Sequence, residues 1–447
     1  MNGQNENNHN GNGHANNFNT FSPKKFLFVS WEALSGDLAY QIQSEGHQVK
    51  IYVEAEYDND TYDGFLEKVP NYKDFIDWAD VVVFDDIGFG EEADELRKKG
   101  KFVVGGSVYT DKLERDREFG QAEMKRVGML TLPHWDFSNF DDVLKFIEEN
   151  PGRYVFKPSE YVGSASKGLL FLGKDDDGKD ICEIIRSNKA TLEKKVKQFQ
   201  LQKFAQGVEV AVGAFFNGSD FIYPINVNFE HKKLFPGDIG PYTGEMGTLM
   251  YWSQANTMFK TTLEKMREDI KKSGYVGYVD INCIANARGI YPLEFTCRFG
   301  YPHISIAMEG ITTPIGEFLY LLASGKSFEL KTKKGFQIGV CCAVPPFPYY
   351  DAEEMDIYKD LSIIFKKPSM EGIRFADLKL IDKKWTIAGV SGYVLVVTGS
   401  GVTVEDARKQ TYGRIDNILL QNMFYRTDIG LGWSEDSDKL QTWGYLY

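Results

Sequence analysis

The sequence lacks a basic excess: 51 Lys and Arg stand against 64 Asp and Glu, for a formal net charge of -13. Proteins that bind a phosphate backbone do so by releasing counterions to clustered lysines and arginines, so nucleic acid is excluded as the expected partner. No apolar run approaches the ~20 residues that cross a bilayer, which leaves no membrane partner to expect. The five cysteines, Cys182, Cys283, Cys297, Cys341 and Cys342, are odd in number and scattered. They have neither zinc-site spacing nor the density of a disulfide scaffold, which points to a reducing cytoplasm. The stretch Met1 to Thr20 is rich in Asn and Gly and lacks the cationic start and apolar centre of a secretion signal. It reads as a disordered tail. Only six histidines are present, without a triad-like partner, so nucleophilic hydrolysis has no obvious machinery.

At 447 residues the chain is too long for one core, and roughly 150 residues per domain suggests about three domains. KFLFVS (Lys25 to Ser30), a helix over Asp37 to Ser44 and a strand over Val49 to Val53 follow βαβ grammar. DVVVFD (Asp80 to Asp85), a charged helix Glu91 to Lys99 and a strand Lys101 to Val104 complete a small doubly wound sheet. Between Val29 and Leu38 the only glycine is Gly36, so this sheet lacks the Gly-rich dinucleotide fingerprint. Helices are expected over Asp111 to Val127 and Asp141 to Glu149, then strand, turn and strand from Arg153. Further strands are expected across Phe199 to Ile225, a helix over Thr261 to Ser273, and a hairpin over Gly277 to Phe295 turning at Asn286 to Gly289. A helix follows Met308 to about Ala323. The last module has strands at Gln337 to Val344 and Gly392 to Thr398 and a helix from Val404 to Leu420.

Chemistry begins after Arg153. Lys157 ends an apolar strand and precedes a turn with Gly163, Ser164, Ser166, Lys167 and Gly168; small residues let backbone N–H groups approach phosphates while lysines supply charge. In LQKFAQGVEV, Gln202, Lys203 and Ala205 could offer a backbone edge to adenine, and Glu209 could accept ribose hydroxyls. The hairpin carries Asp280 and Glu294, a pair suited to Mg2+, which takes one or two carboxylates plus phosphate oxygens and water. Arg298 follows four residues later. Each piece alone is an ordinary surface charge as easily as a site residue; their order is the specific signal.

That order resembles the ATP-grasp superfamily, and within it the phosphoribosylamine–glycine ligases. EHKKLFPGDIGPYTGEMG (Glu230 to Gly247) is similar to that family's D-H-K-R-x-x-D-G-D-x-G-P-N-T-G-G-M-G. LEFTCRFGYP is similar to its E-F-N-x-R-F-G-D-P, and GYVLVVTGSGVTVEDARKQTY to its C-terminal G-R-V-L segment. The resemblance implies an α/β and α+β multidomain fold. A disordered tail (1–22) would precede a doubly wound, biotin-carboxylase-N-like domain (23–125), an ATP-grasp domain (126–330) and a small α+β domain (331–447). It implies ATP with Mg2+ or Mn2+, and small-molecule carboxylate and amine substrates handled by a monomer or homodimer.

Carried over by position, Arg117, Lys157 and Lys167 would meet ATP phosphates, and Gln202, Lys203, Ala205 and Glu209 the adenosine. Asp280, Glu294 and Thr296 would sit at the metal, and Asp238, Thr243 and Arg298 around the acyl phosphate. Thr296 stands where the family has Asn, and Tyr242, Glu245, Tyr301 and His303 replace residues on the substrate side. The family's first-strand loop, G-x-G-G-R-E-H-A, is SWEALSGD here, with one glycine and no arginine. Three expectations follow: a ligase for glycine and phosphoribosylamine, a ligase for another carboxylate and amine, or a nucleotide-binding protein without turnover.

Overall fold

Parallel strands buried on both faces need continuous apolar runs, and residues 25–104 supply them. The computed structural model describes residues 21–161, 169–349 and 351–447. Strands β1 (Lys25–Ser30), β2 (Gln48–Val53), β3 (Glu67–Lys68), β4 (Val81–Phe84) and β5 (Phe102–Val104) form a parallel sheet in the order β3-β2-β1-β4-β5. The VVVF run of β4 is wholly buried. Helices α1 (Gly36–Ser44) and α2 (Gly90–Lys98) connect the strands, so the C-terminal strand ends, where α/β sheets place their ligands, carry the turns at Ser30–Gly36 and Asp85–Gly88.

The helix expected over Asp111 to Val127 is two helices, α3 (Val108–Arg115) and α4 (Arg117–Arg126). Asp116 leaves the helical conformation (φ -98°, ψ 96°) and its carboxylate accepts the Phe119 N–H. Aspartate competes poorly inside a helix and well at its N-cap. The break has a consequence: it puts Arg117 at the start of a new helix, on the wall of the main cleft.

A four-stranded antiparallel sheet follows, in the order β6-β9-β7-β8, from β6 (His134–Phe137), β7 (Tyr154–Tyr161), β8 (Phe171–Leu172) and β9 (Val196–Lys203). Helix α5 (Phe140–Glu149) and a 17-residue helix, α6 (Lys179–Lys195), cover it. They enclose a separate core around Phe140, Phe156, Ile185 and Phe199. No element is assigned to residues 179–195 by sequence, although Ile181, Ile185 and Leu192 mark one buried helical face.

The third sheet has eight antiparallel strands. Its first members are β10 (Val208–Asn217), β11 (Phe221–Glu230), β14 (Gly247–Ser253), β15 (Val276–Asn286) and β16 (Gly289–Thr296), with the small hairpin β12 (Lys233–Phe235) and β13 (Ile239–Tyr242) beside them. The sheet runs on without a break into β17 (Phe336–Ala343), β18 (Ile373–Phe375) and β19 (Tyr393–Gly401), in the order β16-β15-β10-β11-β14-β17-β19-β18. Residues beyond 330 therefore extend the sheet that carries Asp280 and Glu294.

Three other helix expectations shift. Thr262 interrupts the helix at Thr261 to Ser273, leaving Thr257–Thr261, a tight turn at Leu263–Met266 and Arg267–Lys272. Around Met308 there are two helices, His303–Gly310 and Ile315–Ala323, with Pro314 disfavouring helix at the residue before it. The last helix, Val404–Ile415, stops short of Leu420 because Ile418 and Leu419 pair as a strand with Ile364 and Phe365.

Candidate active site

Strand alternation sorts β10, β11, β15 and β16 into an oily face and a polar face. Val210, Val212, Ile281 and Cys283 point into the core. Pairing Asp280 with Thr296 and Asn282 with Glu294 places these four residues on the other face. Ala211 and Gly213 lie opposite Asn282 and Asp280 on the next strand, and Asn228 and Asn226 opposite them on the one after. Small residues are needed there. A Cβ on Gly213 would lie 2.2 Å from the Tyr278 hydroxyl and 2.5 Å from the Asp280 Cβ.

The acids of this face outnumber its bases. Lys232, just past β11, places Nζ 2.9 Å from Glu209, 3.2 Å from Glu230 and 3.8 Å from Glu294. Burial alone would lower the Lys232 ammonium, but these three carboxylates hold it well above the usual lysine range. Thr243 fixes its backbone: the Thr243 N–H and hydroxyl both donate to the Lys232 carbonyl, at 2.8 and 2.9 Å. Asp280 is buried, and burial and the Glu230 charge push its carboxyl well up while the Thr296 hydroxyl opposes them. Glu245 is raised in the same way, by burial and then Glu230. One oxygen of Asp280 and one of Glu245 are buried without a hydrogen-bond partner among the described residues.

Lys157 enters from β7. Its Nζ donates to Gln202 Oε1 at 2.7 Å. Burial, then the Arg117 charge, push it down to about 8, against pull from Glu294 and Glu209. The charges that act on Lys157 are those of Arg117, Glu294, Lys232 and Glu209. Gln202, Lys203 and Ala205 lie at the end of β9, where Lys203 N–H donates to Pro133 and Phe204 N–H to Arg153, both at 2.9 Å. Lys203 Nζ sits 4.7 Å from the Tyr154 ring centre. Beside them opens a cleft of about 810 Å3, walled by Glu114, Arg117, Gln121, Pro158, Gln200 and Glu294 among others.

The remaining expected site residues have other partners. Arg298 is clamped by Asp86 at 3.0 Å and Glu114 at 3.1 Å, and Glu114 also accepts the Cys297 N–H at 2.7 Å. Asp238, at the β12–β13 turn with φ +56°, holds Arg426 at 2.8 Å. That arginine is 1% exposed and also pairs with Asp428 at 2.7 Å, so Asp238 braces the C-terminal segment. Lys167 lies outside the described residues. Sequence reasoning singled out none of Lys232, Glu230, Glu114 and Arg426 for these contacts. Lys232 and Glu230 stood inside a matched motif, which was the available signal; Glu114 and Arg426 had none.

At the C-terminal ends of β1 and β4 the picture differs. Asp85 is fully buried, takes the Ser35 hydroxyl at 2.6 Å, and burial pushes it up to about 7. Asp37 is buried, raised by burial, and accepts the Ser305 hydroxyl. Tyr62 fills the space under the first turn, accepting the Gly36 N–H at 3.0 Å and donating to the Ala33 carbonyl. Tyr301 closes over it by donating to the Asp85 carbonyl at 2.9 Å.

The donor set fits a hard divalent cation. It offers the two carboxylates of Asp280 and Glu294 and neutral oxygens from Asn282 and Thr296, and it leaves orphaned acid oxygens nearby. Among the described residues no three acid, imidazole or thiol side chains gather as a candidate metal cluster; Mg2+ takes one or two carboxylates with phosphate oxygens and water.

Residues 115–304 match the phosphoribosylglycinamide synthetase, ATP-grasp (A) domain model. A phosphoribosylamine–glycine ligase of Streptococcus pneumoniae is 25% identical over 426 residues, 91% of this chain and 99% of that protein. One from Leptospira interrogans is 25% identical over 358 residues, 77% of this chain and 80% of that protein. The Thermotoga maritima phosphoribosylamine–glycine ligase structure superposes with a TM-score of 0.69 at 22% identity, covering 91% of this chain and all of that one. A biotin carboxylase of Campylobacter jejuni, solved with an ATP analogue, gives 0.61 at 13% identity, covering 96% and 98%. Residues 115–304 thus match the phosphoribosylglycinamide synthetase type of ATP-grasp domain, in a chain similar along most of its length to phosphoribosylamine–glycine ligases.

Proposed function

We propose that the chain is an ATP-dependent carboxylate–amine ligase. The observation that carries this is the meeting of Lys157 and Arg117 with Glu209, Lys232 and Glu294 beside the Gln202 to Ala205 segment. Of these, Arg117 and Glu294 line the cleft, which is large enough for a nucleotide.

In this reading Gln202, Lys203 and Ala205 seat adenine, Glu209 the ribose, and Lys157, Arg117 and Lys167 the phosphates. Asp280 and Glu294, with Thr296, would hold Mg2+ or Mn2+. Bound there, that ion neutralises charge on the triphosphate. A substrate carboxylate oxygen attacks the γ-phosphorus and ADP leaves, giving an acyl phosphate. The amine nitrogen then attacks the carbonyl carbon, phosphate leaves, and the amine gives up a proton. Arg298, oriented by Asp86 and Glu114, stabilises the acyl phosphate, and Thr243 acts by holding Lys232 in place. Positioning and fixed charge supply most of the acceleration, and a dry cleft protects the acyl phosphate from hydrolysis.

The relatives' name makes glycine and phosphoribosylamine the first pair to try. A different amine is favoured by the first turn, where buried Asp37 and Asp85 and the ring of Tyr62 stand in place of anion-binding glycines and arginine. The test is phosphate release from Mg·ATP with a panel of amino acids, with and without phosphoribosylamine or other amines. Release with glycine and phosphoribosylamine alone identifies that reaction, and release with another pair identifies a divergent one. ADP binding with no release from any mixture would sink the ligase reading in favour of a non-catalytic nucleotide-binding protein.

A further inference from the structure

A second cavity, of about 350 Å3, lies between α1, the helix His303–Gly310 and strand β18, and it shares no lining residue with the cleft. It is lined by the cations Arg374 and Lys333, by the carboxylates Asp37, Glu309 and Glu371, and by apolar groups of Tyr40, Met308 and Phe375. Arg374 is poorly matched for a guanidinium. Its Nε is buried with no hydrogen-bond partner among the described residues, and its one side-chain contact, to Gln41 Oε1, is 3.4 Å long.

The acids nearest by charge are already engaged. Glu309 receives Lys333 at 2.9 Å, Ser400 at 3.0 Å, Thr398 at 3.1 Å and Arg414 at 3.3 Å. Asp37 receives the Ser305 hydroxyl and the Leu38 N–H, and Glu371 pairs with Arg414. A guanidinium presents five N–H donors in a planar fork that matches an oxyanion. Leaving the buried Nε–H idle beside a cavity costs desolvation without return. The cavity has the volume of about ten waters, room for an acid with a short apolar body.

We propose that this cavity is a binding site for a small organic oxyanion, a carboxylate or a phosphate monoester, held by the fork of Arg374 with its body against Tyr40, Met308 and Phe375. The ligand class follows from the donor geometry and the apolar wall, independently of the reaction in the cleft.

The test is isothermal titration of the full chain, with ADP already filling the cleft, using inorganic phosphate and succinate as probes. Saturable binding of at least one probe is expected, weakened tenfold or more by Arg374→Gln while ADP affinity is unchanged. Arg374→Met separates ligand binding from packing. A buried Nε–H without a partner weakens the empty protein, so this variant should melt no lower than wild type without anion, and its Tm should no longer rise when the probe is added. The proposal fails if neither probe binds or if binding is equal in wild type and Arg374→Gln. It also fails if unliganded Arg374→Met melts well below wild type with its anion-induced shift intact.

Discussion

The polar face of the eight-stranded sheet and the mouth of the N-terminal sheet are both rich in carboxylates, yet they surround them with different partners. On the sheet face Lys232 stands among Glu209, Glu230 and Glu294, and Asp280 and Glu245 keep unpartnered oxygens. At the mouth, Asp85 accepts from Ser35 on one oxygen and keeps the other unpartnered, Asp37 accepts from Ser305, and Tyr62 and Tyr301 seal the turn. In the proposed reading the first region takes Mg·ATP, and the second, with buried Asp37 and Asp85, suits a neutral or cationic group. ATP chemistry can be retained while the partner amine changes, because the two demands fall on different sheets.

The largest effect expected on that contrast comes from Glu294→Ala. It should lower ADP formation by about a thousandfold, the scale of losing a pre-positioned electrostatic group, while circular dichroism shows an intact fold. Normal turnover would remove Glu294 from the site. Lys232→Met comes next. Without its ammonium the surrounding acids repel, and stability should fall by about 1–2 kcal/mol, short of a fully buried pair because the site is partly open. Added Mg2+ should recover more Tm in this variant than in wild type, and equal recovery in both would contradict the account.

A smaller effect concerns pH. Lys157 is pushed down to about 8 in the nucleotide-free protein, so it is charged below that pH and neutral above it. Affinity for ADP should decline as pH rises through about 8, and Lys157→Arg should flatten the profile. Smallest for the nucleotide cleft is Tyr62→Phe. Losing the hydroxyl that bridges Gly36 and Ala33 should cost about 1–3 kcal/mol of stability and leave ADP affinity unchanged, because the mouth and the nucleotide cleft are separate. A loss of ADP affinity would break the comparison between the two regions.

The local elements of the proposed nucleotide region were legible because their signals are short: a segment after a strand and two acids on one hairpin; Lys157, expected at the end of a strand, lies inside β7. The strand alternation that puts Asp280 and Glu294 on one face follows from period two alone. What could not be read are partnerships between distant positions. Arg298 meets Glu114 across 184 residues, and Asp238 meets Arg426 across 188; neither leaves a trace in local pattern. Asp116 was hidden inside a helical run because capping and propensity compete there and only the capped geometry decides. Helix α6 was legible in principle from Ile181, Ile185 and Leu192, but its many charges masked the stripe.

The most direct test of the central claim is positional isotope exchange in ATP labelled with 18O at the β,γ bridge. If Lys157, Arg117 and Glu294 assemble a site that moves the γ-phosphoryl onto a carboxylate, one carboxylic acid of a panel should drive scrambling of the label into the β non-bridging positions with no amine present. Glu294→Ala should abolish it. Unscrambled ATP with every carboxylate, in protein shown to bind ADP, would contradict the account.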